Sequence, residues 1–497
     1  MTMSADLPPA PDRPDLRLRP TPVHRAGRDR HRGPLRSLAL LAVLAGFGAA
    51  VFLLSVGAVV LRPEGAEVSV WWPAAAAAVV GVLLAPDHRG RVAAVLVVAL
   101  ATGLANLAAS RPPAVAVGFA IANAAEAALV SGLLLRGRRS RPGLVGVDDL
   151  SRMLLAAGAG AVLAGGLAAV TVEAAVEGDW WSTWRSVTTS HGSALVLLLP
   201  LALRGTRDHG EATVGERFAQ VLVLLVLLGA AFGPEPPLPV SLLPAMAVFW
   251  AALRCGTRTV VLQLLLTGAV VSAATLQGWG PYALVAAQVP DDPLLPGNLV
   301  HVFVISMGVM GLGIATTQQD RRAALAQVRR LAFSDSLTGI GNRRAFDALF
   351  SDAVERARRG EASLLLLLDL DGFKGVNDAH GHEAGDQVLT EVAERLSGLI
   401  REQDTVVRLG GDEFVVLCPG LHQDGDDAHR LQQRIVDAVA EPFRVGRDEA
   451  SIGVSVGGVQ VTPSLSHADH LRAADAAMYR VKGERRREQR RRDGGLG

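Results

Sequence analysis

The chain has 497 residues, half of them hydrophobic, with a formal net charge of +1 and a mean hydropathy of +0.31. That is too long and too apolar for one soluble domain. Its two cysteines, Cys255 and Cys418, lie far apart, which excludes a disulfide-framed fold and suits free thiols in or near a reducing compartment.

Residues 1–35 are rich in proline and arginine and lack apolar periodicity, as expected of a disordered cytoplasmic tail. They make a poor secretory signal. The first apolar segment, Leu38 to Leu61, is long enough to span a bilayer, and no small-residue cleavage site stands out after it. Residues 36–316 are dominated by Ala, Leu and Val and carry little charge, and a multi-pass α-helical membrane domain is expected there. About ten spans are read, at 36–61, 69–86, 91–109, 113–135, 151–176, 189–203, 217–232, 238–253, 259–276 and 298–316. Loops on one side carry Arg89, Arg91, Arg136, Arg138, Arg139, Arg141, Arg204, Arg207, Arg254 and Arg258. The other side has Arg62, Arg111 and Arg185, with Trp180, Trp181, Trp184 and Trp279 near the interface. Arginine marks the cytoplasmic side, so both termini are expected in the cytoplasm and the number of spans is expected to be even.

Polar residues inside these spans are few: Asn106, Asn123, Glu126, Glu173, His191, Gln263 and His301. An ionisable group in a span is costly and points to function. Hydrogen bonding between helices is the competing use. Asn123 and Glu126 are one helical turn apart and share a face. No internal repeat or pair of broken helices is evident, which weakens a transporter reading. Trp71-Trp72-Pro73, Asn106, Asn123-Ala-Ala-Glu126 and Trp184…His191-Gly192…Pro200 resemble the MASE-type membrane-associated sensory domain of bacterial signalling proteins. The resemblance covers roughly residues 38–316 and implies a sensory role without naming a ligand.

Residues 317–334 form a connector. Thr317 to Phe333 contains no proline or glycine, and Ala324, Val328, Leu331 and Ala332 fall at helical spacing among arginines. A short helix is expected, its narrow apolar stripe suited to pairing with a second copy as a parallel dimer stalk. Arginines resting on anionic lipid would be compatible with that pairing.

Residues 335–483 are long enough for one domain. Strand patterns at 364–369, 406–409, 413–418 and 452–460 alternate with helical patterns at 343–358, 384–400, 427–440 and 467–482, an α/β sheet layered by helices. Leu364 to Leu368 reads as a strand covered on both faces that delivers Asp369 at its exit. Gly410-Gly411 reads as a tight hairpin joining two β-branched strands. If those strands are neighbours, Asp369, Asp412 and Glu413 meet at one edge. Such carboxylates repel unless a cation lies between them, and Mg²⁺ held with substrate phosphates is the common resolution. An acidic turn beside an acidic strand end is the plainer alternative.

The blocks Asp335-Ser-Leu-Thr-Gly339-Ile-Gly-Asn342, Asp369-Leu-Asp-Gly-Phe-Lys374-Gly-Val-Asn377-Asp378 and Gly381-His382-Glu-Ala-Gly385-Asp386 resemble the signatures of GGDEF diguanylate cyclases. Gly410-Gly411-Asp412-Glu413-Phe414, Ser455-Val-Gly457 and Ala474-Asp475…Lys482 complete the set in order. The resemblance implies a nucleotidyl-cyclase-like domain with a mainly antiparallel sheet that condenses two GTP into cyclic di-GMP and two pyrophosphates. It implies that Asp369, Asp412 and the Leu370 carbonyl hold Mg²⁺ or Mn²⁺. Asp412 would also help to deprotonate the attacking ribose hydroxyl, and Glu413 would support the cluster. Gly410 and Gly411 would let the backbone approach the nucleotide. Asn377, Asp386 and His382 would take the guanine, whose edge an amide and a carboxylate together can match. Lys374, Lys482 and Arg486 would meet the phosphates, with Lys374 also stabilising charge in the transition state. Those two lysines are the only ones in the chain, every other basic side chain of this kind being arginine. A compact ammonium in an arginine-biased chain fits such a role. The family's Lys-x-x-Gly-Arg-Asn ending is altered here to Lys482-Gly-Glu-Arg485-Arg486-Arg487, which keeps only the arginine in place.

Arg401-Glu-Gln-Asp404, just upstream of the hairpin, resembles the family's inhibitory product site, with an ordinary surface ion pair as the alternative. The basic tail, 484–497, lacks interleaved aromatics and reads as solvated or lipid-facing, not as a binder of nucleic acid. Together these features imply a product-inhibited, homodimeric cyclase in the bacterial inner membrane under the control of its membrane domain. A catalytically inactive receptor for GTP or cyclic di-GMP is the alternative.

Overall fold

The computed structural model describes residues 34–60, 71–138, 142–205, 210–235, 240–446 and 448–493, without the side chains of 34–41 and 484–493. The tail expected over the first 35 residues thus lies almost wholly outside the described residues, as do Arg62, Arg139, Arg141 and Arg207 and the side chain of Arg486. The described chain divides into two compact units, with the break between Ala324 and Leu325.

The first unit is helical. It comprises α1 (Pro34–Val60), α2 (Ala74–Leu84), α3 (His88–Ala108), α4 (Pro113–Leu135), α5 (Val147–Val176), α6 (Trp180–Ala202), α7 (Val214–Phe232), α8 (Ala245–Arg254), α9 (Thr257–Leu276), α10 (Gly280–Ala287) and the greater part of α11 (Leu295–Phe333). Runs of Ala and Leu favour helix, and polar side chains start it. Asp87 accepts from the Gly90 N–H at 2.7 Å and Asp179 from the Ser182 N–H at 2.6 Å. Each of the ten expected segments contains a helix, yet only seven helices among the described residues are long and apolar enough to cross a membrane, an odd number where an even one was expected. With 11 and 10 residues, α2 and α8 are about 17 and 15 Å long, short of the ~30 Å hydrocarbon layer. The first half of α6 is polar, and its Ser186, Ser190, His191 and Ser193 are buried among neighbouring helices. Large side chains such as Leu96, Leu100, Leu155 and Phe218 instead point outward, the inverse of a water-soluble bundle.

The second unit holds α12 (Arg343–Arg358), β1 (Ser363–Asp371), α13 (Phe373–His380), α14 (His382–Leu399), β2 (Thr405–Gly410), β3 (Glu413–Pro419), α15 (Asp426–Ala440), β4 (Phe443–Val445), β5 (Asp448–Ala450), β6 (Gly453–Gln460) and α16 (His467–Asp493). Its main sheet has the order β2-β3-β1-β6 with every pair antiparallel. The unbroken leucine run of β1 follows from its central place. Leu364, Leu366 and Leu368 enter a core shared with α14 and α15, while Leu365 and Leu367 face α12 and α16. Each such leucine stabilises the fold by roughly 2 kcal/mol through burial. The short helix α13 and the β4–β5 hairpin were not expected from sequence, and α16 continues to Asp493 through most of the segment read as a basic tail.

Candidate active site

The acidic edge is built by strand pairing. Asp369 stands opposite Glu413 in the β1–β3 ladder, and the Leu370 N–H donates to the Asp412 carbonyl at 3.3 Å. One sheet edge therefore carries Asp369, Leu370, Asp412 and Glu413. Gly410 and Gly411, at φ of +150° and +53°, make the turn that presents Asp412 and Glu413. A Cβ at either glycine would meet open space, so here the turn itself explains their presence, because these angles are strained for any other residue.

The local electrostatics follow. Partial burial, and then the charges of Asp369, Asp412 and Asp475, push the Glu413 carboxyl above its ordinary range. Lys482 answers part of this crowding. Its Nζ lies 2.6 Å from Asp369 Oδ1 and 3.1 Å from Asp371 Oδ1, and the hydrogen bond to Asp369 leads the effects that raise its pKa. Asp371 is in turn held by the Ser455 hydroxyl at 2.6 Å. Lys482, expected on phosphates, thus sits on the acidic cluster itself.

No three His, Cys, Asp or Glu side chains among the described residues form a ready metal cage. Mg²⁺ needs no such cage, since one or two carboxylates with substrate oxygens suffice. The cluster fits that demand: its carboxylates repel one another, and among the described residues Lys482 on Asp369 and Asp371, with Arg343 acting on Glu413, offsets only part of the charge.

Past Asp371, Gly372 at φ +88° turns the chain into α13, which carries Lys374 and Asn377. A Cβ on Gly385 would lie 1.9 Å from Asn377 Oδ1. Only glycine there lets the Asn377 amide rest on the first turn of α14, beside Asp386. Asp386 lines a cleft of about 710 Å³ with Leu337, Thr390, Glu394 and Arg395. Lys374 and His382 are exposed.

Arg401 and Asp404 lie at the opposite end of β2, about 20 Å of strand from the hairpin. The Asp404 carboxylate accepts from the Arg401 backbone N–H at 3.0 Å, and the Arg401 guanidinium is 3.5 Å from Asp427. Burial pushes the Asp404 carboxyl up against the pull of Arg401, and burial drives the neighbouring Cys418 thiol up to about 12. That thiol is inert at neutral pH.

Sequence reasoning missed Arg408. It donates to the Gly411 carbonyl from Nε at 3.0 Å and Nη2 at 2.8 Å, and to Asp335 from Nη1 at 3.0 Å. A lone arginine in an apolar strand two residues before Gly410-Gly411 was the available signal. Asp371 and Ser455 stood inside recognised blocks with no role attached.

The helical unit gathers its polar residues as well. Trp72 Nε1–H donates to Asn123 Oδ1 at 2.7 Å, and His191 Nδ1 is 2.7 Å from Glu126 Oε2. The Trp72 and His191 rings stack with centroids 6.1 Å apart. Asn106 accepts from Arg111 at 3.1 Å. Gln263 and His301 are buried too, whereas Glu173 is exposed. Asn123 and Glu126 therefore each make a hydrogen bond beyond their own helix, while Glu126 Oε1 is buried without a partner among the described residues.

The family described as diguanylate cyclase, GGDEF domain, matches residues 332–488. MucR of Pseudomonas aeruginosa, a bifunctional diguanylate cyclase and cyclic di-GMP phosphodiesterase, is 32% identical over 56% of this chain and 44% of its own length. The diguanylate cyclase TpbB of the same organism is 40% identical over 34% of this chain and 38% of its own. This chain therefore spans less than half of either relative. Among solved structures, the coiled coil and GGDEF domain of DgcB from Caulobacter crescentus, in complex with cyclic di-GMP, is 33% identical. It covers 33% of this chain and 88% of that one, with a TM-score of 0.32.

Proposed function

From residues 332–488, which belong to the GGDEF domain family, we propose that the chain is a membrane-bound diguanylate cyclase. It joins two GTP into cyclic di-GMP and releases two pyrophosphates. The observation that carries this reading is the junction of β1 with the hairpin, where Asp369 pairs opposite Glu413 and the Leu370 N–H meets the Asp412 carbonyl.

Asp369, Asp412 and the Leu370 carbonyl would hold Mg²⁺ or Mn²⁺, which when bound offsets phosphate charge and eases loss of the ribose 3′-OH proton. Asp412 helps to take up that proton, and Glu413 keeps the edge acidic. Lys482 begins on Asp369 and Asp371 and passes to the incoming phosphates, joined by Lys374 and Arg486. Asn377 and Asp386 recognise the guanine through its O6 acceptor and N1 and N2 donors, with His382 beside them. These features are lacking in adenine, so GTP is preferred to ATP.

Each domain holds one GTP. Two copies must face each other, each 3′-OH attacking the partner's α-phosphate, so the reaction needs a homodimer paired through the connector, residues 317–334. The MASE-type region controls the rate by how that stalk presents the two domains, a proximity effect. Arg401 and Asp404 bind cyclic di-GMP and slow the enzyme when product accumulates. The protein sits in the bacterial cytoplasmic membrane with both termini inside, the 23-residue α6 crossing as a sheltered helix beside the seven long apolar ones. Purified chain given Mg²⁺ and GTP yields cyclic di-GMP, and Asp412→Ala removes the activity. Product binding by the native chain with no turnover would support a receptor in its place.

A further inference from the structure

We propose that the helical unit contains a binding site for an uncharged amphiphile with one polar head, of the class of a medium-chain alcohol, and that its occupancy alters the cyclase rate. The rate clause rests on the function proposed above, whereas the binding clause does not.

The site is a cavity of about 450 Å³ where α1 and α9 end and α2 and α11 begin. That volume suits a small organic ligand. Leu53, Leu265, Val300 and Val304 make its walls mostly aliphatic, and among the described residues no Lys, Arg, Asp or Glu lines it. Nucleotides, sugars and amino acids would forfeit most of their hydrogen bonds there.

Polar chemistry concentrates at one spot on the wall. Ser193 Oγ is 3.0 Å from His301 Nδ1, and both residues are buried. The Ser193 hydroxyl donates to the Ser190 carbonyl at 2.9 Å, so its oxygen accepts from the imidazole Nδ1–H. The Ser193 oxygen keeps a second lone pair, which can accept from one hydroxyl head, while the rest of the lining takes an apolar tail. Leu53 and Leu276, also on the lining, are 67% and 76% exposed on the outer faces of α1 and α9. In a bilayer those faces meet acyl chains, so a membrane-soluble ligand has a lateral way in.

Val300, His301 and Val304 belong to α11, which runs unbroken from Leu295 to Phe333. The helix that lines the cavity therefore leads directly into Ser334 and Asp335. A ligand bearing on α11 acts on the segment that introduces the GGDEF domain.

Two glycines make the proposal testable. A Cβ on Gly57 would meet nothing within 4 Å, and one on Gly268 would only touch Val304 at 3.5 Å and Leu197 at 3.9 Å. Gly57→Phe, whose Cβ starts in open space on the lining, should occupy part of the cavity.

The experiment uses full-length protein in nanodiscs and follows tryptophan fluorescence during titration with 10-bromodecan-1-ol. Trp71 lines the cavity, so saturable quenching is expected and should disappear in Trp71→Phe. Apparent affinity should fall at least tenfold in Gly57→Phe, with unchanged thermal melting, and at least tenfold for the headless probe 1-bromodecane. Saturating decanol should change GTP turnover at least twofold in the native chain and leave Gly57→Phe unaffected. Non-saturable quenching shared by Gly57→Phe would overturn the site. So would maximal quenching of Trp71 by brominated phosphatidylcholine with no further effect of the alcohol, which would identify a lipid-tail groove. Equal binding of the headless probe would refute the polar contact, and binding with an unchanged rate would refute control. Absence of turnover in every condition, with saturable binding intact, would count against the cyclase reading and leave the pocket standing.

Discussion

Asp335 and Arg408, 73 residues apart in sequence, meet at 3.0 Å, and the same guanidinium holds the Gly411 carbonyl with two further donors. The turn that presents Asp412 is thus tied to the first residues of the domain. Arg408→Ala should cost about 2 kcal/mol, the scale of hydrogen bonds to a charged group, and should lower cyclase activity without touching substrate. Partial burial alone would raise the Asp335 carboxyl, but Thr338 N–H, Thr338 O–H and Arg408 outweigh it and hold it below its ordinary 3.8. A depressed carboxylate adds stability above its unfolded pKa and loses it as pH falls through the folded value. The difference in urea midpoint between native protein and Asp335→Asn should be constant above about pH 5 and close progressively below it.

Glu413 has the opposite sign. Its folded pKa is raised above the ordinary 4.5, so its charged form weakens the metal-free fold once pH passes the unfolded value. Glu413→Gln should raise the melting temperature at neutral pH without divalent ions and lower cyclase activity, a gain in stability at the expense of function. Calorimetry with and without EDTA checks this. A lower melting temperature in the variant would mean that Glu413 is a structural partner.

Lys482 is shared between Asp369 and Asp371. If it passes to substrate phosphate, Lys482→Met should raise KM for GTP at least tenfold and change kcat less. Lys482→Arg should restore only part of the loss, because a wide fork cannot occupy the same seat. Steady-state kinetics at saturating Mg²⁺ decide the matter.

Arg401 and Asp404 stand at the far end of β2 from the hairpin. Arg401→Ala should leave the initial rate within twofold and weaken inhibition by added cyclic di-GMP at least tenfold. Unchanged inhibition would reduce the Arg401–Asp427 contact to a surface ion pair of little worth.

The catalytic half was legible where chemistry and local pattern coincide. The leucines of β1 announced a strand covered on both faces, and Gly410-Gly411 announced the turn. Arg408 was not legible, because its partner Asp335 lies 73 residues upstream. The Lys482–Asp369 pair spans 113 residues and was hidden for the same reason. In the helical half, hydropathy located every expected segment but not its length or surroundings. It does not reveal that α6 is an interior helix whose polar side chains are sheltered by its neighbours. Nor does it reveal that His191 answers Glu126 across 65 residues.

The most direct test of the acidic edge follows Mn²⁺ binding by electron paramagnetic resonance together with product formation from GTP, in native protein, Asp369→Asn and Asp412→Asn. The native chain should bind Mn²⁺ in the presence of a non-hydrolysable GTP analogue and form cyclic di-GMP. Each variant should bind the ion at least tenfold more weakly and form no detectable product. Native-like Mn²⁺ affinity and native turnover in either variant would contradict the shared cation site on which the account rests.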